Sequence, residues 1–317
     1  MKYRKRKFFS GECMHIYQRT VSGFNIFYDR EDFIVFFTIF SVISRLYDVC
    51  VLELCLMIDH IHVLLAADSL EQVSSFVRHY SSQYALEYNH SLGRHGPLFH
   101  KSFGSAPKKG GKKIRSTIVY IGNNPVEKKL CSNAPEYRWN FLAYISEANP
   151  FSEAVPMNVC RNKLRKAMKE VRSSRSMNQY LTYAQLGRMS DLLDNNEKDD
   201  LTDYIIRQYW PFDTKVLLSF YESCEDMFHA MKSTSGADHD IREMYHPEPD
   251  SIYRDMIRVV RNECQIMPVR KVTVLPSEMK LEIARILRQK TSASMRQIEK
   301  FLCLRAAQVA DNQRHMT

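Results

Sequence analysis

The stretch Leu54-Cys55-Leu56-Met57-Ile58-Asp59-His60-Ile61-His62-Val63-Leu64-Leu65 confines this chain more than any other part of it. Two histidines one residue apart sit inside an apolar, β-branched run. Side chains of a strand alternate between faces, so His60 and His62 point one way and Ile61 the other. So apolar a run reads as a buried strand, and two imidazoles on one buried face need partners. A divalent metal is one such partner, because neutral imidazole is the commonest protein metal ligand. Hydrogen bonds to nearby polar groups are the other.

The segments around this strand read as a small sheet domain. Cys13 to Thr20 is a first strand, ended by Ser22-Gly23. Asp29 to Asp32 start a helix that continues as the apolar run Phe33 to Leu46. Val49 to Ile58 is a second strand, Asp59-His60 lies near a tight reversal, and His60 to Ala67 is a third strand. Asp68 can cap a helix from Leu70 to about Asn89, where Leu70, Val73, Phe76, Tyr80, Tyr84 and Tyr88 recur at helical spacing. That spacing favours packing of the three tyrosines over base stacking. After Gly93 and Gly96-Pro97, Leu98 to Ser105 makes a fourth strand, and a loop from Pro107 to Lys113 precedes a helix from Ile114 to about Asn123. The order β-α-β-β-α-β followed by a helix predicts a ferredoxin-like α+β domain with an antiparallel sheet, over residues 1–148.

Residues 149–270 read as a mostly α-helical region to which the sequence assigns no role. Within it Val159 to Arg175 is basic, Ser190 to Asp203 is an acidic, mostly solvated surface, and Ser233 to Pro249 is a polar loop. In residues 271–317, Pro276-Ser277 open a helix to Arg288, and Thr291 to Ala293 break it. Ser294 and Gln297 then form a capping box for a second helix. Two short helices so joined fit a helix-turn-helix DNA-binding segment, with Arg296 as its candidate contact.

Composition narrows the class of protein. With 317 residues, 44% hydrophobic and 26% charged, the chain is that of a soluble globular protein with room for two domains. No run of about 18 apolar residues exists, so no membrane span is expected. The eight cysteines are scattered without a Cys-x-x-Cys pair, which argues against a zinc ribbon and fits reduced thiols in the cytoplasm. A net charge of +9 favours a polyanionic partner.

A second constellation is Val119-Tyr120-Ile121-Gly122-Asn123-Asn124-Pro125-Val126. Tyr120 and Asn124 are four residues apart and share a helix face. Pro125 disfavours the α conformation at Asn124, so the helix is expected to end there. The amide oxygen of Asn124 suits a hard cation, and the phenol of Tyr120 becomes a nucleophile once deprotonated.

Together the two constellations resemble the single-tyrosine HUH transposases, the insertion-sequence enzymes that cut and rejoin single-stranded DNA. The nearest subgroup is the REP-associated tyrosine transposases. The resemblance runs from Tyr17-Gln18-Arg19-Thr20 through Cys55 to Leu65, Gly96-Pro97-Leu98-Phe99 and Phe103, and on to Tyr120-Ile121-Gly122-Asn123-Asn124-Pro125-Val126 and Tyr137-Arg138-Trp139. It implies that His60 and His62 are two metal ligands, Asn124 the third, and Tyr120 the nucleophile. It also implies Mg²⁺ or Mn²⁺ as cofactor and single-stranded or hairpin DNA as partner, with a homodimer compatible and no nucleotide cofactor. The chain departs from the subgroup in two places. Ile58-Asp59 stands where Pro-Asn is usual, so Asp59 can join or alter the metal shell. Gly122 stands where many members have histidine, and can let the helix move or let DNA approach.

Charge agrees with a DNA partner. Between Ser91 and Leu130 there are nine Lys/Arg (94, 101, 108, 109, 112, 113, 115, 128, 129) against Glu127, so 9 − 1 = +8. Lys101, Lys108, Lys109, Lys112, Lys113 and Arg115 are the candidate backbone contacts. Two other activities share the same residues: an HUH nickase of the replication-initiator kind, and a domesticated DNA-binding protein that no longer cleaves. A nickase would be supported by a helicase module or a second tyrosine beside Tyr120, and neither is present.

Overall fold

A computed structural model describes residues 7–100, 102–153, 158–234 and 248–304. The first unit runs β1 (Cys13–Arg19), α1 (Arg30–Leu46), β2 (Cys50–Leu56), β3 (His60–Ala66), α2 (Leu70–Leu92), β4 (Gly104–Lys108) and α3 (Gly111–Glu127). The four strands form one antiparallel sheet in the order β2-β3-β1-β4, the ferredoxin-like arrangement. The chain then becomes helical: α4 (Ala143–Ser146), α5 (Asn162–Ser176), α6 (Tyr183–Ser190), α7 (Asn195–Gln208), α8 (Thr214–Leu218), α9 (Cys224–Ser233), α10 (Ser251–Asn262), α11 (Ser277–Lys290) and α12 (Met295–Leu302). No described helix is long and apolar enough to cross a membrane.

The alternation of β3 divides the molecule into two cores. Ile61, Val63 and Leu65 face α1 and α2, where Phe36, Phe37, Phe40, Phe76, Tyr80, Tyr84 and Tyr88 are buried. Leu64 faces the opposite side, with α3 and its Ile114, Ile118 and Ile121. Each fully buried large apolar side chain contributes about 1.5–3 kcal/mol, so the aromatic face of α1 alone fixes that layer. Neither core stops at residue 148. Leu164, Val171, Leu201 and Ile205 of α5 and α7 complete the first, and Met231, Met256, Leu287, Ile298 and Phe301 complete the second.

Several local expectations change. Ser69, not Asp68, caps α2, its side chain accepting from Gln72 N. The fourth strand is Gly104–Lys108 rather than Leu98 to Ser105. Leu98 and Phe99 are buried, but Phe99 makes only an isolated bridge to Thr20. The true strand has low β propensity and forms because β1 offers an open edge. Gly104 lets the Tyr17 ring cross it: a Cβ there would lie 1.9 Å from that ring. Pro107 is tolerated because β4 is an edge strand. The expected loop is thereby shortened, with Pro107 and Lys108 in β4 and α3 starting at Gly111.

Pro125 does not end α3, which continues to Glu127. A proline removes one backbone donor, and the turn after it is held by Lys128 N to Asn124 O and Leu130 N to Pro125 O. The acidic stretch after Ser190 is not simply solvated. Glu197, Asp200 and Asp203 are buried on the inner face of α7. Asp203 accepts from the Tyr144 hydroxyl at 2.6 Å and lies 3.4 Å from Arg138, and Glu197 pairs with Arg161. Most of the polar loop expected between Ser233 and Pro249 lies outside the described residues.

Candidate active site

The pairing of β3 with β1 sets the site. Tyr17 lies opposite His62, and Arg19 opposite His60. One step along, His15 brings a third imidazole to the same face. His62 is fully buried, and its Nδ1 lies 3.1 Å from His15 Nε2, with the rings stacked at 5.3 Å. The sequence reading missed His15. Its strand parity matches that of Tyr17 and Arg19, which was the available signal.

Helix α3 closes this face. Tyr120 and Asn124, one turn apart, both meet His62. The Tyr120 ring stands edge-on to His62 at 5.6 Å and to His15 at 5.9 Å, and Asn124 Nδ2 lies 3.2 Å from His62 Nε2. Gly122, between them, faces Met231 and Leu142. A Cβ there would lie 2.7 Å from Met231 Cε and 3.1 Å from Leu142 Cδ1, so the glycine lets α9 pack closely against α3.

His60 lies at the rim of the site. Its Nδ1 is 2.6 Å from Asp59 Oδ1, and Lys300 of α12 lies 3.6 Å from Asp59 Oδ2. Burial pushes the Asp59 carboxyl up, but the hydrogen bond and charge of His60, with Lys300 and Lys128, outweigh it and hold it at about 2. Asp59 is therefore an ionised acceptor for the imidazole. Asp250, at the start of α10, faces the same group, and burial beside Asp59 raises it to about 6.

The residues present fit a hard divalent ion. Burial, then the neighbouring His60, His15 and Arg19, push His62 well below the usual imidazole range, and burial beside Lys108 lowers His15 to about 3. Both rings are neutral, the form that binds metal. Rotating the Asn124 amide by half a turn exchanges its oxygen and nitrogen. Two cis ligands at about 2.1 Å from an octahedral ion lie about 3 Å apart, close to the 3.2 Å between Asn124 and His62. Two imidazoles and an amide oxygen would hold the ion. No group of three or more His, Cys, Asp or Glu able to hold one occurs among the described residues.

The basic candidates fall in two places. Lys108 ends β4, and Lys109, Lys112, Lys113 and Arg115 are grouped at the start of α3. Lys109, Lys112, Lys113 and Arg115 are exposed, Arg115 over the ring of Tyr221. At 1.5 Å per residue, Lys112 is about 12 Å along the helix from Tyr120. Lys101 lies outside the described residues. Arg296 is exposed on α12, whose capping box of Ser294 and Gln297 is formed. The opposite face of that helix is buried, with Phe301 edge-on to Tyr28.

Residues 12–124, which contain the sheet, Tyr120 and Asn124, match the family described as "Transposase IS200 like". That segment is an IS200-like transposase domain. A solved structure described as the REP associates tyrosine transposase bound to a REP hairpin is similar at 16% identity, over 44% of this chain and 81% of that one, with a TM-score of 0.38. No curated protein matches the chain.

Proposed function

We propose that this protein is a metal-dependent transposase that cleaves and rejoins single-stranded, hairpin-flanked DNA through Tyr120. The observation that carries this reading is the meeting at His62 of Tyr120 and Asn124, one helix turn apart on α3. Nucleophile and ligand set then share one cluster, buried at His62 and Asn124 and with His60 at its rim. His60, His62 and Asn124 would hold Mg²⁺ or Mn²⁺, which supplies Lewis-acid stabilisation of charge on a phosphate.

The Tyr120 oxygen gives its proton to water and attacks phosphorus. A bond forms between that oxygen and phosphorus while the bond from phosphorus to the 3′ oxygen breaks. The departing 3′ oxygen takes up a proton, leaving a 3′-hydroxyl and a 5′-phosphotyrosine. Because the phosphodiester is exchanged rather than hydrolysed, the 3′-hydroxyl of another strand can reverse the step, and no nucleotide cofactor is needed. Lys108, Lys109, Lys112, Lys113 and Arg115, with Lys101, would track the strand's phosphates, and Arg296 would add a further DNA contact.

The reading is tested with hairpin DNA from the flanks of the protein's own gene and a second labelled strand bearing a free 3′-hydroxyl. Metal-dependent appearance of a joined strand of the summed length is expected. Cleavage without joining would identify a nickase, and binding without cleavage a DNA-binding protein.

A further inference from the structure

Helix α12 comes from the far end of the chain, yet Lys300 reaches the residue beside His60. Asp59 is gripped at both oxygens: Oδ1 is 2.6 Å from His60 Nδ1, and Oδ2 is 3.6 Å from Lys300 Nζ. Each side of that grip is anchored separately. Thr20 N donates to the Asp59 carbonyl, and Met57 N to that of His60. On the other side Asn25 N donates to the Lys300 carbonyl, and the Tyr28 hydroxyl to that of Phe301 at 2.6 Å. The Lys300 stem passes Gly23, where a Cβ would lie 3.6 Å from Lys300 Cε. The Lys300 side chain is 15% exposed, so the pair is largely withdrawn from water.

We infer that Lys300 is a positioning residue for the site: by holding Oδ2 of Asp59 it keeps Oδ1 on His60 Nδ1. This rests on the metal-binding reading above. A carboxylate held at one oxygen can still turn about two bonds, and the ion pair at the other oxygen restricts that freedom. When neutral and donating Nδ1–H to Asp59, His60 carries its lone pair on Nε2 in one ring orientation. Partners of this kind orient metal ligands, and losing one typically weakens metal binding 10–100-fold. On this account α12 is part of the active centre rather than an appendage to it.

The test uses full-length Lys300→Met and Lys300→Arg beside wild type. Two quantities are read: Mn²⁺ affinity by calorimetry, and the ¹⁵N shifts of the His60 imidazole without metal. Lys300→Met is expected to bind Mn²⁺ about tenfold more weakly. It should also turn a single Nδ1–H tautomer of His60 into a mixture, and Lys300→Arg should restore both. Loss of a nearby cation would by itself tighten Mn²⁺ binding, so weakening is the signature of positioning. Unchanged or tighter binding, or an unchanged tautomer, in folded Lys300→Met overturns the inference. Should that variant not fold, Lys300→Gln reads the same two quantities. Wild type that fails to bind Mn²⁺ overturns the metal reading instead, and the tautomer then decides the role of Lys300 alone.

Discussion

Asn124 and His62, 62 residues apart in sequence, lie 3.2 Å apart through Nδ2 and Nε2. The contact crosses from α3 to β3 and places an amide beside an imidazole that burial keeps neutral. If the amide oxygen is a ligand, Asn124→Ala should weaken Mn²⁺ binding at least about tenfold, while Asn124→Asp, which keeps an oxygen there, should retain it. Calorimetric titration of the two variants checks this. Equal affinity of Asn124→Ala and wild type would remove Asn124 from the ligand set.

How much of this could be read from sequence depends on the range of each contact. The facing of His60 and His62 follows from strand alternation, and the shared face of Tyr120 and Asn124 from helix spacing, both local rules. His15 is different, because its partner His62 lies on another strand and only the β1–β3 register brings them together. The fourth strand was misplaced because Leu98 and Phe99 are its most strand-like residues, whereas the pairing segment is chosen by the open edge of β1. The acids of α7 look solvated until Arg138, Arg30 and Arg161, all distant in sequence, cover them.

Gly122 offers a stability test of the same lesson. Alanine should gain about 1 kcal/mol in helix propensity. It must, however, place its Cβ against Met231, which is buried, at a cost of about 1–3 kcal/mol. Gly122→Ala should therefore lower stability by about 1 kcal/mol. In a Met231→Ala background the same change should become stabilising. Denaturant melts of the four proteins of the cycle check the sign reversal, and a loss of the same size in both backgrounds would contradict it.

Glu53 supplies a pH dependence. It is buried beneath the site face of the sheet, neither carboxylate oxygen has a hydrogen-bond partner among the described residues, and burial pushes its carboxyl well above the usual range. A group whose folded pKa is raised contributes stability that is fully present below its unfolded value and lost as pH rises. Glu53→Gln removes that loss. Its advantage over wild type should be near zero at pH 4 and grow by about 1.4 kcal/mol per pH unit above about 4.3, up to the folded pKa. Thermal melts at pH 4 and pH 8 check this, and the same difference at both would contradict it.

The lysines at the start of α3 can be tested through salt. Lys112→Ala and Lys113→Ala should weaken single-stranded DNA binding without regard to sequence. Each should flatten the slope of log affinity against log salt by about 0.7. Fluorescence anisotropy between low and moderate salt reads the slope, and an unchanged slope would take these residues off the DNA path.

The central claim is that Tyr120 forms the bond to DNA. The measurement is mass spectrometry of the trapped protein–DNA adduct, formed with Mn²⁺ on hairpin DNA and digested with trypsin and nuclease. Tyr120 is the one tyrosine in the tryptic peptide from Ser116 to Lys128, so assignment there is unambiguous. The account predicts that this peptide carries a 5′-phosphonucleotide, and that no adduct forms with Tyr120→Phe. A nucleotide on any other peptide, or an adduct that survives Tyr120→Phe, would contradict it.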